Sequence, residues 1–173
     1  MNDLEFYKSI YDRELNRRTS LDDSVSNILT SISILIGVIW YFYSNVEYKS
    51  FIRDNNLILV LLGLAFLLLL FSMIFLIKSY NNFLRGFNYP NIAYLQEVRA
   101  YQTEGVVDYN KRVKANEQIS FEEKLIDRLI RITDENTRIN DRRAYDMYVS
   151  KTLMIISLSM LVFPILILIT KTL

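Results

Sequence analysis

Three long runs without a single charged residue constrain this chain more than anything else in it. The first spans Ser24 to Val46, between Asp23 and Glu47. The second spans Asn55 to Ile77, with the core LILVLLGLAFLLLLFSMIFLI, and the third Thr152 to Thr170, between Lys151 and Lys171. Crossing the hydrocarbon core of a bilayer takes about 20 mainly apolar helical residues, and each run reaches that length. A chain of 173 residues cannot wrap three such helices out of water. In lipid every backbone polar group must be satisfied within its own segment, which selects helices. The expected fold is an all-α membrane protein with three transmembrane helices, a helical cytoplasmic region, and long continuous helices crossing the interface.

The expected organisation follows from the same runs. Residues 1–80 form a cytoplasmic helix plus a two-span hairpin, with spans at about 26–46 and 56–77. Residues 81–151 form a cytoplasmic helical region, and 152–173 the third span. The first run starts late, follows a mixed-charge helix and lacks a small-residue cleavage site, so it is expected to stay in the membrane. Lys and Arg set the orientation. Four precede the first span (Lys8, Arg13, Arg17, Arg18), two lie in the 45–56 loop (Lys49, Arg53), thirteen lie from Lys78 to Lys151, and one follows (Lys171). That bias predicts an N-terminus inside, the 45–56 loop outside, 78–151 inside, and Trp40, Tyr41 and Tyr43 at the outer interface.

The chemistry available is narrow. The chain has no Cys and no His, which removes thiolate chemistry, the commonest general base and the commonest metal ligand. Its carboxylates form no recognisable catalytic pair or metal spacing, and four glycines make no phosphate loop. No enzyme, metal site or cofactor is expected. The net charge of +1, from 20 basic and 19 acidic residues, gives no global pull toward nucleic acid, so only the placement of charges can matter.

Outside the spans the signal is helical periodicity. Leu4, Tyr7, Tyr11 and Leu15 form one face of an N-terminal helix that runs into span one without a breaker. The stretch from Asn81 to Ser120, with Gly86, Pro90 and Gly105, reads as a helix near 91–101 and another near 106–116. Ser120 with Glu123 has the spacing of a capping box and opens a further helix. Leu125, Leu129, Ile132, Asn136 and Ile139, then Arg143 and Asp146, follow at heptad spacing. This seam packs either on the chain's own N-terminal helix or on copies of itself. In the second case it is an oligomerisation stalk, with a tetramer as the working number, and Asn136 sets its register.

Two further patterns carry functional expectations. Ser26, Thr30, Ser33 and Gly37 share one face of span one, where small and hydroxylated side chains serve close helix packing or line a narrow water path. No charge lies inside any span, which argues against a proton-coupled transporter and leaves a passive pore or an anchor. Pro164 is expected to kink span three near Met160. Lys111, Arg112, Lys114, Arg128, Arg131, Arg138, Arg142 and Arg143 are the candidate contacts for an anionic ligand, because guanidinium groups bind phosphate bidentately. The alternative is that they pair with Glu122, Asp127, Asp134, Glu135 and Asp141 among them.

The opening ELNRRTSLDDSVSNILTSISILIGVIWYFY, a charged helix feeding a Ser/Thr-rich span, followed by a short loop and a Leu-rich second span, resembles the SLATT group. These are small bacterial membrane effectors found beside nucleotide-making or nucleotide-sensing genes in anti-phage defence operons. The likeness covers residues 5 to 80 and is one of hydropathy and charge. The third span and its helical lead-in also resemble the membrane effector of the Hailong defence system. The resemblance implies a homo-oligomeric ion pore in the bacterial inner membrane, controlled by a nucleotide or short oligonucleotide from a partner nucleotidyltransferase. The alternatives are a membrane anchor or adaptor for a cytosolic partner, and a holin-like toxin without a ligand.

Overall fold

Few glycines and prolines, and long runs of Leu, Ile and charged helix formers, leave little to interrupt a helix in this chain. The computed structural model describes residues 2–80 and 89–172. Its helices are α1 (Asp3–Ser44), α2 (Val46–Asp54), α3 (Asn56–Tyr80), α4 (Leu95–Ala100), α5 (Val106–Arg112) and α6 (Phe121–Thr172). A π-helical turn, Tyr101–Gly105, joins α4 to α5, and a 3-10 turn, Ala115–Glu117, precedes α6. No strand occurs among the described residues. Helices α1, α3 and α6 are long and apolar enough to cross a membrane, so the all-α, three-span expectation holds. Both α1 and α6 are single helices that carry charged and apolar segments without a break, and α6 continues through Pro164.

Three local expectations are revised. The 45–56 segment, read as a loop, forms α2, because Tyr48, Phe51 and Ile52 gather on one side and Ile52 is buried with Phe42 and Ile58. Asn55 then separates α2 from α3, and its Oδ1 accepts the Ile58 amide at 3.5 Å in N-cap fashion. The helix expected from residue 91 starts at Leu95, and the gap expected between the two helices is bridged by the π turn that ends at Gly105. At the start of α6 the Ser120 carbonyl accepts from Lys124 at 3.2 Å, but the capping-box side-chain bonds of Ser120 and Glu123 are not made among the described residues. The irregular stretch expected around Gly86 lies outside the described residues.

The chain divides into two compact units, Met1–Thr19 with Asn88–Asp141, and Ser20–Phe87 with Arg142–Leu173. The second unit holds the three spans. Its core joins Ile28, Ile32 and Phe42 of α1, Ile58, Leu62, Leu69 and Leu76 of α3, and Met147 and Leu161 of α6. Helices α3 and α6 run antiparallel and meet along small residues seven apart. The Ser79 Oγ donates to the Arg143 carbonyl at 2.9 Å, Ser72 and Ser150 bond each other, and the Ser157 Oγ donates to the Ala65 carbonyl at 2.9 Å. Small side chains let the two backbones approach closely enough for these bonds.

The other unit is built on α1 and the first part of α6. Tyr11, Leu129 and Ile132 are its buried centre, with Leu4, Tyr7, Leu15, Ile92 and Leu125 packed around them. The apolar stripe of the seam is thus covered by the chain's own first helix.

Candidate functional site

The outward side of α1 carries a stripe of small and hydroxylated residues beside exposed apolar ones such as Leu29 and Ile34. The inward stripe of α1 (Ile28, Ile32, with Leu21, Val25, Leu35 and Ile39) is apolar and packs on the other two helices. On the opposite side Ser26, Thr30, Ser33 and Gly37 are all exposed. The Thr30 hydroxyl donates to the Ser26 carbonyl and the Ser33 hydroxyl to the Leu29 carbonyl, both at 2.9 Å, so both are satisfied within the helix. A Cβ added at Gly37 would meet nothing within 4 Å. By contrast α3 turns outward Leu57, Leu64, Leu67, Phe71 and Ile74, and α6 turns outward Ile155, Leu158, Val162, Phe163 and Leu166. The four residues singled out for the first span thus share one uncovered face.

The candidate anion-binding residues separate into three groups. Arg143 faces inward, 1% exposed. Its Nε donates to the Ser79 carbonyl at 2.7 Å, and its Nη2 donates to Asp22 Oδ1. Beside it Lys78 pairs with Asp146 at 3.4 Å. Arg143 thus ties α1, α3 and α6 together and is turned away from the surface, unlike the other candidate arginines. Arg142, one residue on and about 100° around the helix, is exposed. Lys111 pairs with Asp108 at 3.6 Å, while Arg112 and Lys114 flank the point where the backbone leaves α5 in extended conformation. Arg128, Arg131, Arg138 and Arg142 are exposed and make no ion pair among the described residues. Two of the neighbouring acids are engaged elsewhere: Asp141 binds Arg17 at 2.7 Å and Asp127 binds Lys124 at 3.7 Å. The hydrogen bond that Arg17 donates to Asp141, with further pull from Glu14, raises the Arg17 pKa above its ordinary value against the opposing effect of burial.

The seam residues divide likewise. Leu129 and Ile132 are apolar core, Leu125 lies at its edge, and Ile139 is half-buried. Asn136 is fully buried, its Nδ2 donating to the Pro90 carbonyl at 3.3 Å while its Oδ1 has no partner among the described residues. Asn140, which the periodicity did not single out, is the better-connected amide. It donates to the Glu14 carbonyl and to Glu14 Oε2, both at 3.0 Å, and accepts from the Tyr89 hydroxyl at 2.8 Å. Arg18 stacks over the Tyr89 ring at 4.4 Å. Among the described residues no cluster of acidic side chains converges to hold a metal ion. No protein family, curated protein or solved structure matches this chain.

Proposed function

We propose that the protein is a membrane effector that assembles with copies of itself into an ion pore, under control of a nucleotide or short oligonucleotide. The observation that carries the pore is the stripe of small and hydroxylated residues on the exposed side of α1. Its Ser26, Thr30, Ser33 and Gly37 face is uncovered in the single chain, whereas α3 and α6 present Leu, Ile, Val and Phe there. Hydroxylated and small residues in a span favour contact with another helix or with water over contact with acyl chains. In a ring of copies, with a tetramer as the working number, this face of α1 forms the wall of the conduit. The absence of charge within the spans suits passive flux down a gradient.

The unpaired cations Arg128, Arg131, Arg138 and Arg142 support an anionic regulator. The resemblance to SLATT and Hailong effectors supports antiviral defence by depolarisation of the bacterial inner membrane, with the regulator made by a partner nucleotidyltransferase. The excess of Lys and Arg flanking the spans supports an N-terminus in the cytoplasm.

Ion flux from liposomes carrying the purified protein tests this reading, measured with and without nucleotides and short oligonucleotides. Flux that a nucleotide switches on or off, and that Ser33→Leu abolishes, is the expected result. No flux from protein shown to be inserted would favour the membrane-anchor reading.

A further inference from the structure

Within the unit formed by Met1–Thr19 and Asn88–Asp141, a groove of about 580 Å³ opens between the Ile92–Tyr101 segment and the first turns of α6. That is the volume of a typical small-molecule site. Its two walls differ in chemistry. One carries Arg128 and Arg131, one helical turn apart on α6, neither in an ion pair among the described residues. The acids at the groove are Asp127, paired with Lys124 at 3.7 Å, and Glu97 on the opposite segment. Two guanidinium groups therefore stand against one uncommitted carboxylate.

The other wall contributes Tyr101, which meets Phe121 at the start of α6. Tyr101 opens the π-helical turn, and its ring lies 6.4 Å from that of Phe121, with the planes inclined at 48°. Gly105 closes the same turn, and a Cβ there would stand 3.0 Å from Tyr101 Cδ2. The glycine thus gives the tyrosine ring its seat. π turns are rare single-turn interruptions of helices and are frequent at functional sites. Ile92, Val98 and Leu125 complete an apolar floor.

We infer that this groove is the regulator site and that it takes a nucleotide. The base lies against Tyr101 and Phe121, and the phosphates lie on Arg128 and Arg131. Base-aromatic stacking supplies affinity without demanding one base, and bidentate guanidinium contacts select phosphate. The inference rests on the ligand-controlled reading above and narrows it to one of the chain's cationic regions. Lys111, Arg112 and Lys114, Arg138 and Arg142 are left outside the site.

The test is equilibrium binding to the full chain in lipid nanodiscs, with ATP, a short oligodeoxynucleotide and inorganic triphosphate as probes. Saturable binding of ATP or the oligonucleotide is expected. The double variant Arg128→Glu, Arg131→Glu should weaken it by at least about tenfold, since each loses a charge-assisted bond. Both positions are exposed, so helical content and thermal stability should be unchanged. Tyr101→Ala and Gly105→Ala should weaken ATP while leaving triphosphate as it was, which separates stacking from simple charge. Absence of binding for all three probes overturns the inference, as does binding indifferent to the double variant. Equal loss of ATP and triphosphate in Tyr101→Ala overturns the stacking assignment. Flux recorded on the same preparations keeps the two ideas apart. Flux without binding removes the groove and leaves the pore, and binding without flux does the reverse.

Discussion

The hydroxyl of Ser72 donates to the carbonyl of Ser150 at 2.8 Å, and the hydroxyl of Ser150 donates to the carbonyl of Ser72 at 2.9 Å. Both residues are fully buried, and they form the middle rung of a ladder whose neighbours are Ser79 with Arg143 and Ala65 with Ser157. Each hydroxyl thus finds an acceptor on the facing helix, which fixes the axial register of α3 against α6. The register of the two spans is held by polar contacts that lipid cannot supply.

Replacing one hydroxyl should matter less than filling the space. Ser72→Ala leaves the Ser150 hydroxyl its bond to the residue-72 carbonyl, so the loss should be about 0.6 kcal/mol, the usual worth of a hydrogen bond between spans. Ser72→Leu must push α3 away from α6 at a fully buried contact and should cost about 1–3 kcal/mol. Reversible unfolding in mixed detergent micelles, followed by circular dichroism, measures both. Equal losses for the two variants would mean that the helices do not meet closely at this rung.

Arg142 and Arg143 should behave as opposites. Arg143→Glu places a carboxylate beside Asp22 in a buried seat and should leave no stable span unit. Asp22→Ala removes a charged acceptor of the Arg143 guanidinium and should cost about 1–3 kcal/mol. Arg142→Glu, at an exposed position, should change stability by no more than about 0.5 kcal/mol. Combining Asp22→Leu with Arg143→Met should recover much of the loss, because a packed apolar pair has no charge to desolvate. Thermal unfolding of the four variants in one detergent orders them. Recovery in the double variant is the decisive comparison.

The two buried asparagines of α6 should also separate. Asn140→Leu removes the acceptor that the Tyr89 hydroxyl meets and two donations to Glu14, which should cost about 1–3 kcal/mol. Asn136→Leu loses a 3.3 Å bond and removes an acceptor that has no partner among the described residues, so stability should change little. Because Asn136 is buried inside one chain, its replacement should leave the oligomeric state unchanged in analytical ultracentrifugation. A shift in assembly would place the seam between chains instead.

Much of this architecture is legible in the sequence because it rests on long-range composition. Three charge-free runs dictate the spans whatever their packing. The finer assignments fail where one helical turn offers two candidates. The spacing from Leu129 to Asn136 continues equally well to Ile139 or to Asn140, and the fold buries Asn140 fully because it bridges Glu14 and Tyr89. Arg142 and Arg143 are adjacent in sequence, yet about 100° of helix rotation sends one outward and the other to Asp22. The small residues Ala65, Ser72 and Ser79, facing Ser150 and Ser157, do carry a signal, since both sets repeat every seven residues. That signal is masked by the Leu-rich run around the first set. Helix α2 was hidden by its charges, and the π turn at Tyr101 has no local signature beyond Gly105.

Gly37 gives the cleanest separation between a face that meets lipid and one that meets water or another copy. No atom lies within 4 Å of the Cβ that a substitution would add, so no side chain placed there begins in a clash within the single chain. Gly37→Ala should therefore stabilise the isolated chain, by up to about 1 kcal/mol, through helix propensity alone. Gly37→Leu should likewise leave its unfolding transition intact. If the Ser26, Thr30, Ser33 and Gly37 face lines a conduit, the added isobutyl group narrows it, and flux from liposomes should fall several-fold in Gly37→Leu. Leu64→Ala, on the outward apolar face of α3, should leave flux unchanged. A Gly37→Leu protein that inserts, unfolds normally and conducts as before would put this face of α1 against lipid, and the pore would have to be lined elsewhere.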